Sequence, residues 1–410
     1  MVVRGWVVGG TVFRGFGVVT RRLPAVVLLT MPFYLSFGIV LGLPGPSLEA
    51  IRSEFEINYM VGSFVFLVPA LGYIVGSLVG GPMADRFGRR VILNISSVML
   101  GGGLALCGVS PELRVFVASA LLYGVGFGLM EPALTAIISD AVSDSAGRML
   151  VLAQVPFGIG ALLAPLLVGA FLLVPIGWRG SYLVAALLVG VAALTASRGR
   201  FPMPMSSETT LRALVHSAAR PVPVLLGAVV AMYFGMQIGF GGFLAAHLEH
   251  NLMFDRPLAA TAVAVYWGGL PLGRVAGVWI SGRIGPYTLA AGSLLLALIP
   301  ALVVAVTPSA LVLLLAVAFS GVAIGPLFPI VVGIGVRYAP GAVASTTGLI
   351  MALGSVGTLT LSLLTGSVAD VLSVQAAIGL VPMFLAAGLM LLMIGRARHV
   401  AELSAKRSSI

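Results

Sequence analysis

Glu131 is the residue of this sequence with the clearest chemical potential. Of the 13 acidic residues, twelve fall in polar loops, tails or the ends of apolar stretches; Glu131 alone lies deep inside one, GVGFGLMEPALTAIISD at 124–140. A charged side chain at the centre of a membrane helix costs about 2.5–3.5 kcal/mol on insertion scales, and such residues are usually functional. Desolvation favours the neutral form, so a carboxyl at that depth can carry a proton. Gly124 and Gly128 are expected to leave open space beside it, and Pro132 cannot bond the Gly128 carbonyl, so a kinked wall is expected. The competing reading is a structural glutamate hydrogen-bonded in a helix interface or held in a buried salt bridge.

Arg274 and Gln154 sit at similar depth, and Gln237 lies above the midplane. Arg274 is the only basic residue well inside an apolar stretch. It could pair with Glu131 or with an anionic solute and release when Glu131 takes a proton; alternatively its stem snorkels to the headgroups. Gln154 and Gln237 are candidates for binding solute hydroxyls, or else for interhelical hydrogen bonds. Tyr34, Tyr233, Tyr266 and Trp267 could stack against a sugar face, although such aromatics more often serve as core. His247, Glu249 and His250 cluster near one helix end, where a solvated end is expected rather than a metal site. The glycines of GVGFG at 124–128 follow no strand and so make no nucleotide loop. There is no nucleophile–base pair, Walker lysine or zinc spacing. The expectation is a protein that is not an enzyme, with no cofactor and no metal.

The elements that must position these residues are membrane helices. The chain is 59% hydrophobic, 9% charged and has a mean hydropathy of +1.13, far from the quarter charged of a soluble domain. Twelve stretches are apolar for about the 20 residues a span requires: approximately 24–46, 58–80, 91–109, 114–138, 149–174, 180–197, 222–246, 258–281, 286–306, 309–333, 342–368 and 374–395. They are numbered span 1 to span 12 below. The fold class is therefore all-α integral membrane, with twelve transmembrane helices. The single cysteine, Cys107, excludes an internal disulfide. The net charge of +10 follows topology rather than nucleic-acid binding: with both termini placed in the cytoplasm, 18 basic residues face in and four face out. The expected location is the cell membrane, multi-pass, with both termini cytoplasmic, lipid as the surrounding partner, no nucleic acid, and a monomer.

The longest polar stretch, 197–223, divides the chain six spans to six. The expected organisation is an interfacial segment at 1–23, an N-terminal half at 24–197, a linker at 198–221, a C-terminal half at 222–395 and a cytoplasmic tail at 396–410. The halves repeat each other at an offset of 197 residues: Gly72, Gly76, Gly80, Arg86 and Gly88 coincide with Gly269, Gly273, Gly277, Arg283 and Gly285. Glycines four apart share one helix face and let backbones approach closely. An even number of spans per half implies parallel repeats with a site between them.

The stretch GGPMADRFGRR at 80–90 resembles the loop between spans 2 and 3 of the major facilitator superfamily, G-x-x-x-D-R-x-G-R-R, with Gly81, Asp85, Arg86, Gly88, Arg89 and Arg90 in place. A weaker copy at 282–285 retains Arg283. The stretches at 124–140, 152–169, 177–188, 233–243, 266–274 and 325–329 look like fucose-permease-like and related sugar–proton symporters. The acidic residue of span 4 in that branch falls on Glu131, the polar residue of span 5 on Gln154, and Gln237 stands where glutamate is usual. Span 1 departs from the pattern, lacking the branch's aspartate around Gly42, and GALLAPLLVG at 160–169 is a degenerate form of an antiporter motif.

The resemblance implies the major facilitator fold, two pseudo-symmetric six-helix halves rocking around a midplane site, and proton-coupled transport of a small polar organic solute, sugar-like as first guess. It also implies that Asp85 latches the halves by facing the start of span 11 near Gly341 to Ser345, in the outward-facing state. Two other functions stay open: proton-driven export of amphipathic compounds, and a non-transporting sensor on the same fold.

Overall fold

The computed structural model describes residues 25–141, 153, 155–197, 220–281, 283–338 and 343–408, and among them all regular structure is helical. Ten helices are long and apolar enough to cross a bilayer, a bent pair adds an eleventh, and the shorter apolar helix Val155–Phe171 makes the twelfth. The protein is a multi-pass, all-helical membrane protein.

Span 1 is Ala25–Gly42 continued, after a 47° bend, by Pro44–Phe55. Pro44 and Pro46 lack the N–H donors that would carry the first ladder onward, so the span is longer and more angled than its apolar run implies. Span 2 is Tyr59–Gly62 continued by Phe64–Phe87; span 3 is Arg89–Val109; span 4 is Leu113–Ala141; span 5 contains Val155–Phe171; span 6 is Trp178–Ser197. Span 7 joins Pro221–Gln237 to Leu244–Asn251 through a π-helical turn at Ile238–Phe243. Span 8 is Arg256–Ala262 with Ala264–Ser281, span 9 is Pro286–Val306, span 10 is Ala310–Ile324 with Leu327–Tyr338, and span 11 is Val343–Val371. The last helix, Val374–Ser408, runs well past the apolar run of span 12, so residues 396–408 are helical. Its extension is docked: Tyr287 Oη lies 3.1 Å from His399 Nδ1, and the Tyr338 hydroxyl donates to Glu402.

The stretch at 80–90 is less of a loop than expected. Span 2 stays helical through Phe87, and only Gly88, at φ +89°, separates it from span 3. That backbone conformation disfavours any side chain, which accounts for the glycine at this turn.

The repeated glycines do what their spacing predicts. A Cβ added at Gly72, Gly76 or Gly80 would come within 2.5, 2.3 and 3.0 Å of span 4 backbone at Leu121, Val125 and Leu129. Across the same seam, Gly124 and Gly128 lie against the carbonyl oxygens of Pro69 and Tyr73. In the second half Gly269 and Gly273 pack equally tightly on Ala318 and Val322, while Gly321 and Gly325 meet Tyr266 and Leu270. Gly321 and Gly325 are Gly124 and Gly128 displaced by the same 197 residues. The repeat therefore covers both sides of the seam between spans 2 and 4 and its counterpart between spans 8 and 10.

Candidate functional site

Glu131 projects from span 4, which continues helically through Pro132. The space beside it is not open, contrary to expectation. Gly124 and Gly128 have no Cβ, so the backbone of span 2 fills their faces. That contact delivers Tyr73, whose hydroxyl donates to Glu131 Oε2 across 2.5 Å. Tyr34 of span 1 lies close to both Glu131 and Thr135. Phe37 and Phe127, 4.2 Å between ring centroids, and Tyr73, 5.5 Å from Phe127, complete an aromatic surround. Glu131 nevertheless remains partly exposed.

The second half assembles an opposite kind of cluster. The side chains of Gln237 and Arg274 lie close to Tyr233, and Tyr266 lies beside Tyr233 and Arg274. Phe328 stacks on Tyr233 with 6.1 Å between centroids. By the 197-residue offset Phe328 is the counterpart of Glu131: an acid in one half, a ring in the other. The sequence-predicted pair between Glu131 and Arg274 is not formed in this conformation, because each is engaged within its own half, Glu131 by Tyr73 and Arg274 by Tyr233.

Tyr34, Tyr233, Tyr266 and Trp267 are all at most 4% exposed, whereas Glu131, Gln237 and Arg274 keep partial access. The polar groups thus form the reachable layer and the aromatics stand behind them. Trp267 Nε1, the Tyr266 hydroxyl and Arg274 Nε are buried with no hydrogen-bond partner among the described residues. An unpaired buried donor is costly, so this wall favours anything that brings acceptors. Gln154 lies outside the described residues. Tyr73 and Phe328 were not singled out from sequence; the signal for Tyr73 was its place beside Gly72 in the glycine ladder.

Of the gating motif, Gly81 lies in the last turns of span 2, and the Asp85 side chain is outside the described set. Arg86 is exposed over the Phe87 ring at 5.3 Å. Arg89 is only 4% exposed, and Arg90 donates to the Ser197 carbonyl at the end of span 6. Arg283 is exposed and donates to the Trp279 carbonyl, 3.4 Å away.

The face at the other ends of these spans, carrying Glu49, Tyr59 and Asp370, is called the distal face. Here the expectation of a solvated end at span 7 needs correcting. His247 is 2% exposed, with Nδ1 3.1 Å from Asn251. His250 Nε2 lies 2.9 Å from Glu49 on span 1. Arg52 holds Glu49 at 3.0 Å and Arg256 holds Glu249 at 2.9 Å. Sequence distance hid this cluster: span 1 and span 7 are far apart in the chain and meet through close packing of Gly45 on Gly241. Each carboxylate is held by a guanidinium, so the group forms an ion-pair seam. Polar contacts join the two halves on this face, from Glu49 to His250 and from Asp370 to the Tyr59 and Met60 amides, and they close the distal side.

Fold and site together define a two-half helical membrane protein with an acidic cluster in one half and a basic, aromatic one in the other. A family model described as Major Facilitator Superfamily matches residues 27–218, the first six spans, and the fold extends to the rest. The N-terminal half of the chain is similar to that family. It is 32% identical over 118 residues to the 4-hydroxybenzoate transporter PcaK of Acinetobacter baylyi, covering 28% of this chain and 25% of that protein. Other curated relatives of comparable similarity are also matched over less than half of their length. Among solved structures, a bacterial homologue of the human lysosomal transporter Spinster superposes with TM-score 0.75 at 16% identity, over 92% of this chain and 96% of that one. A D-xylose–proton symporter superposes with TM-score 0.75 at 15% identity, over 90% and 96%.

Proposed function

We propose that this protein is a secondary active carrier that moves a small polar organic solute together with a proton by alternating access, with a sugar as the first class to test. The observation that carries the reading is the hydrogen bond from Tyr73 to Glu131. A carboxyl locked to an arginine in a dry interior would stay charged. One held by a neutral phenol, and still partly exposed, can be loaded and unloaded with a proton as the cavity changes sides. A solute and a proton drive such a carrier only by binding its states differently. Gln237, Arg274, Tyr233, Tyr266 and Trp267 form the wall that meets the solute, and Gln154 is assigned to the same cavity from its place in span 5.

The charge distribution supports cytoplasmic termini. In that orientation the distal face is extracellular and the structure is closed to the outside. Asp85 is then the latch that closes the inner face, against the start of span 11, where a helix N-terminus favours an anion. The test is uptake of D-xylose and D-glucose into proteoliposomes under an imposed pH gradient, at both gradient signs. Accumulation that ignores the gradient, or that Glu131→Gln leaves unchanged, refutes proton coupling.

A further inference from the structure

The seam that closes the distal face has a bond that no site residue above accounts for. Asp370 sits one residue before the end of span 11. Its Oδ1 accepts from the backbone N–H of Tyr59 and its Oδ2 from that of Met60, each at 2.7 Å. Tyr59 and Met60 open span 2, in the other half of the protein. The first N–H groups of a helix have no partner within it. Here the next donor, Val61 N–H, is taken by Asn58 Oδ1 at 2.9 Å. Span 2 supplies one cap from its own sequence and borrows the rest from the opposite half.

The contact is built for closeness. Gly366, one turn back along span 11, faces the same helix start, and a Cβ there would lie 2.7 Å from the Tyr59 carbonyl oxygen and 3.1 Å from Ser63 Cβ. Tyr59 is itself braced, with the Arg52 guanidinium 3.3 Å above its ring and Phe243 5.9 Å from it. Asp370 has no ion-pair partner among the described residues and is exposed. Its charge therefore rests on two amides and the positive end of a helix. A bidentate, charge-assisted contact holds firmly, yet in water it can be released whole, since solvent replaces both bonds.

Resting on the carrier reading above, we infer that Asp370 is the latch of the distal face: the carrier opens on that side by releasing the Tyr59 and Met60 amides, and closes by recapturing them. The carboxylate and the amides lie in different halves, so rocking must break the two bonds together. Asp370 positions the halves and takes no part in binding the solute.

The test is a distance across the seam in the full chain, reconstituted in lipid. Spin labels at Ser53→Cys and Leu372→Cys mark exposed positions on the two sides, and the native Cys107 is buried. The parent should show mainly the short distance. Asp370→Asn, nearly isosteric but uncharged, should raise the open-to-closed ratio at least fivefold, and Asp370→Ser should do the same. Gly366→Ala, which wedges the seam, should open it without touching the carboxylate. An Asp370→Asn distribution identical to the parent, while Gly366→Ala opens the seam, overturns the latch and leaves the carrier reading intact. A single unchanging distance in every variant, with no uptake of any probe solute by the parent, overturns both.

Discussion

The hydroxyl of Tyr73 on span 2 and the carboxyl of Glu131 on span 4 lie 2.5 Å apart, across a seam that only glycine permits. Glu131→Gln should abolish gradient-driven accumulation while solute exchange without a gradient persists. Tyr73→Phe removes one hydrogen bond, worth about 1 kcal/mol, and should lower the accumulation ratio several-fold without abolishing it. Counterflow and gradient-driven uptake, measured on the same vesicles, separate the two effects.

The opposite wall should govern affinity. Arg274→Gln and Tyr233→Phe are expected to weaken solute binding at least tenfold, because Tyr233, Arg274 and Gln237 lie together in one polar cluster. The readout is thermal stabilisation by a panel of sugars and by 4-hydroxybenzoate. Variants stabilised as strongly as the parent would remove this cluster from the binding site.

The glycine seams should be intolerant of a single methyl. Gly76→Ala and its repeat mate Gly273→Ala would each place a Cβ within 2.3 Å of a carbonyl oxygen, whereas nothing lies within 4 Å of one at Gly102. Overpacking of this kind costs about 1–3 kcal/mol. Both seam variants should melt several degrees lower, with Gly102→Ala close to the parent.

Asp85 and Asp370 should pull in opposite directions. Under the proposed function Asp85 closes one face of the carrier and Asp370 the other. Asp85→Asn should lengthen residence with the distal face closed, and Asp370→Asn the reverse. Cysteine accessibility from the two sides of the membrane would read this. Equal shifts in the same direction would show that one of the two assignments is wrong.

The docked end of the last helix should respond to alkali. Burial, and then the Glu402 carboxylate that accepts its hydrogen bond, push the Tyr338 phenol up from 10.0 to about 12. A value raised by folding means that the stabilisation is complete below pH 10 and is lost as pH rises through 12. The melting temperature should therefore fall more steeply between pH 10 and pH 12 for the parent than for Tyr338→Phe.

The sequence by itself determined the class of fold, because a bilayer accepts only helices long enough to cross it and the apolar runs are long and numerous. It also determined the two-half repeat, since glycines four apart mark where backbones must touch, and Glu131, since a lone acid in an apolar span stands out. Tertiary structure decided the partners. Tyr73 rather than Arg274 meets Glu131, because the bare faces of Gly124 and Gly128 admit the backbone of span 2. His250 meets Glu49, and Asp370 caps Tyr59, across 201 and 311 residues of chain. No local pattern encodes such distances: which helix ends meet depends on how two rigid halves lean together, and a carboxylate at a helix end looks solvated until the other half arrives.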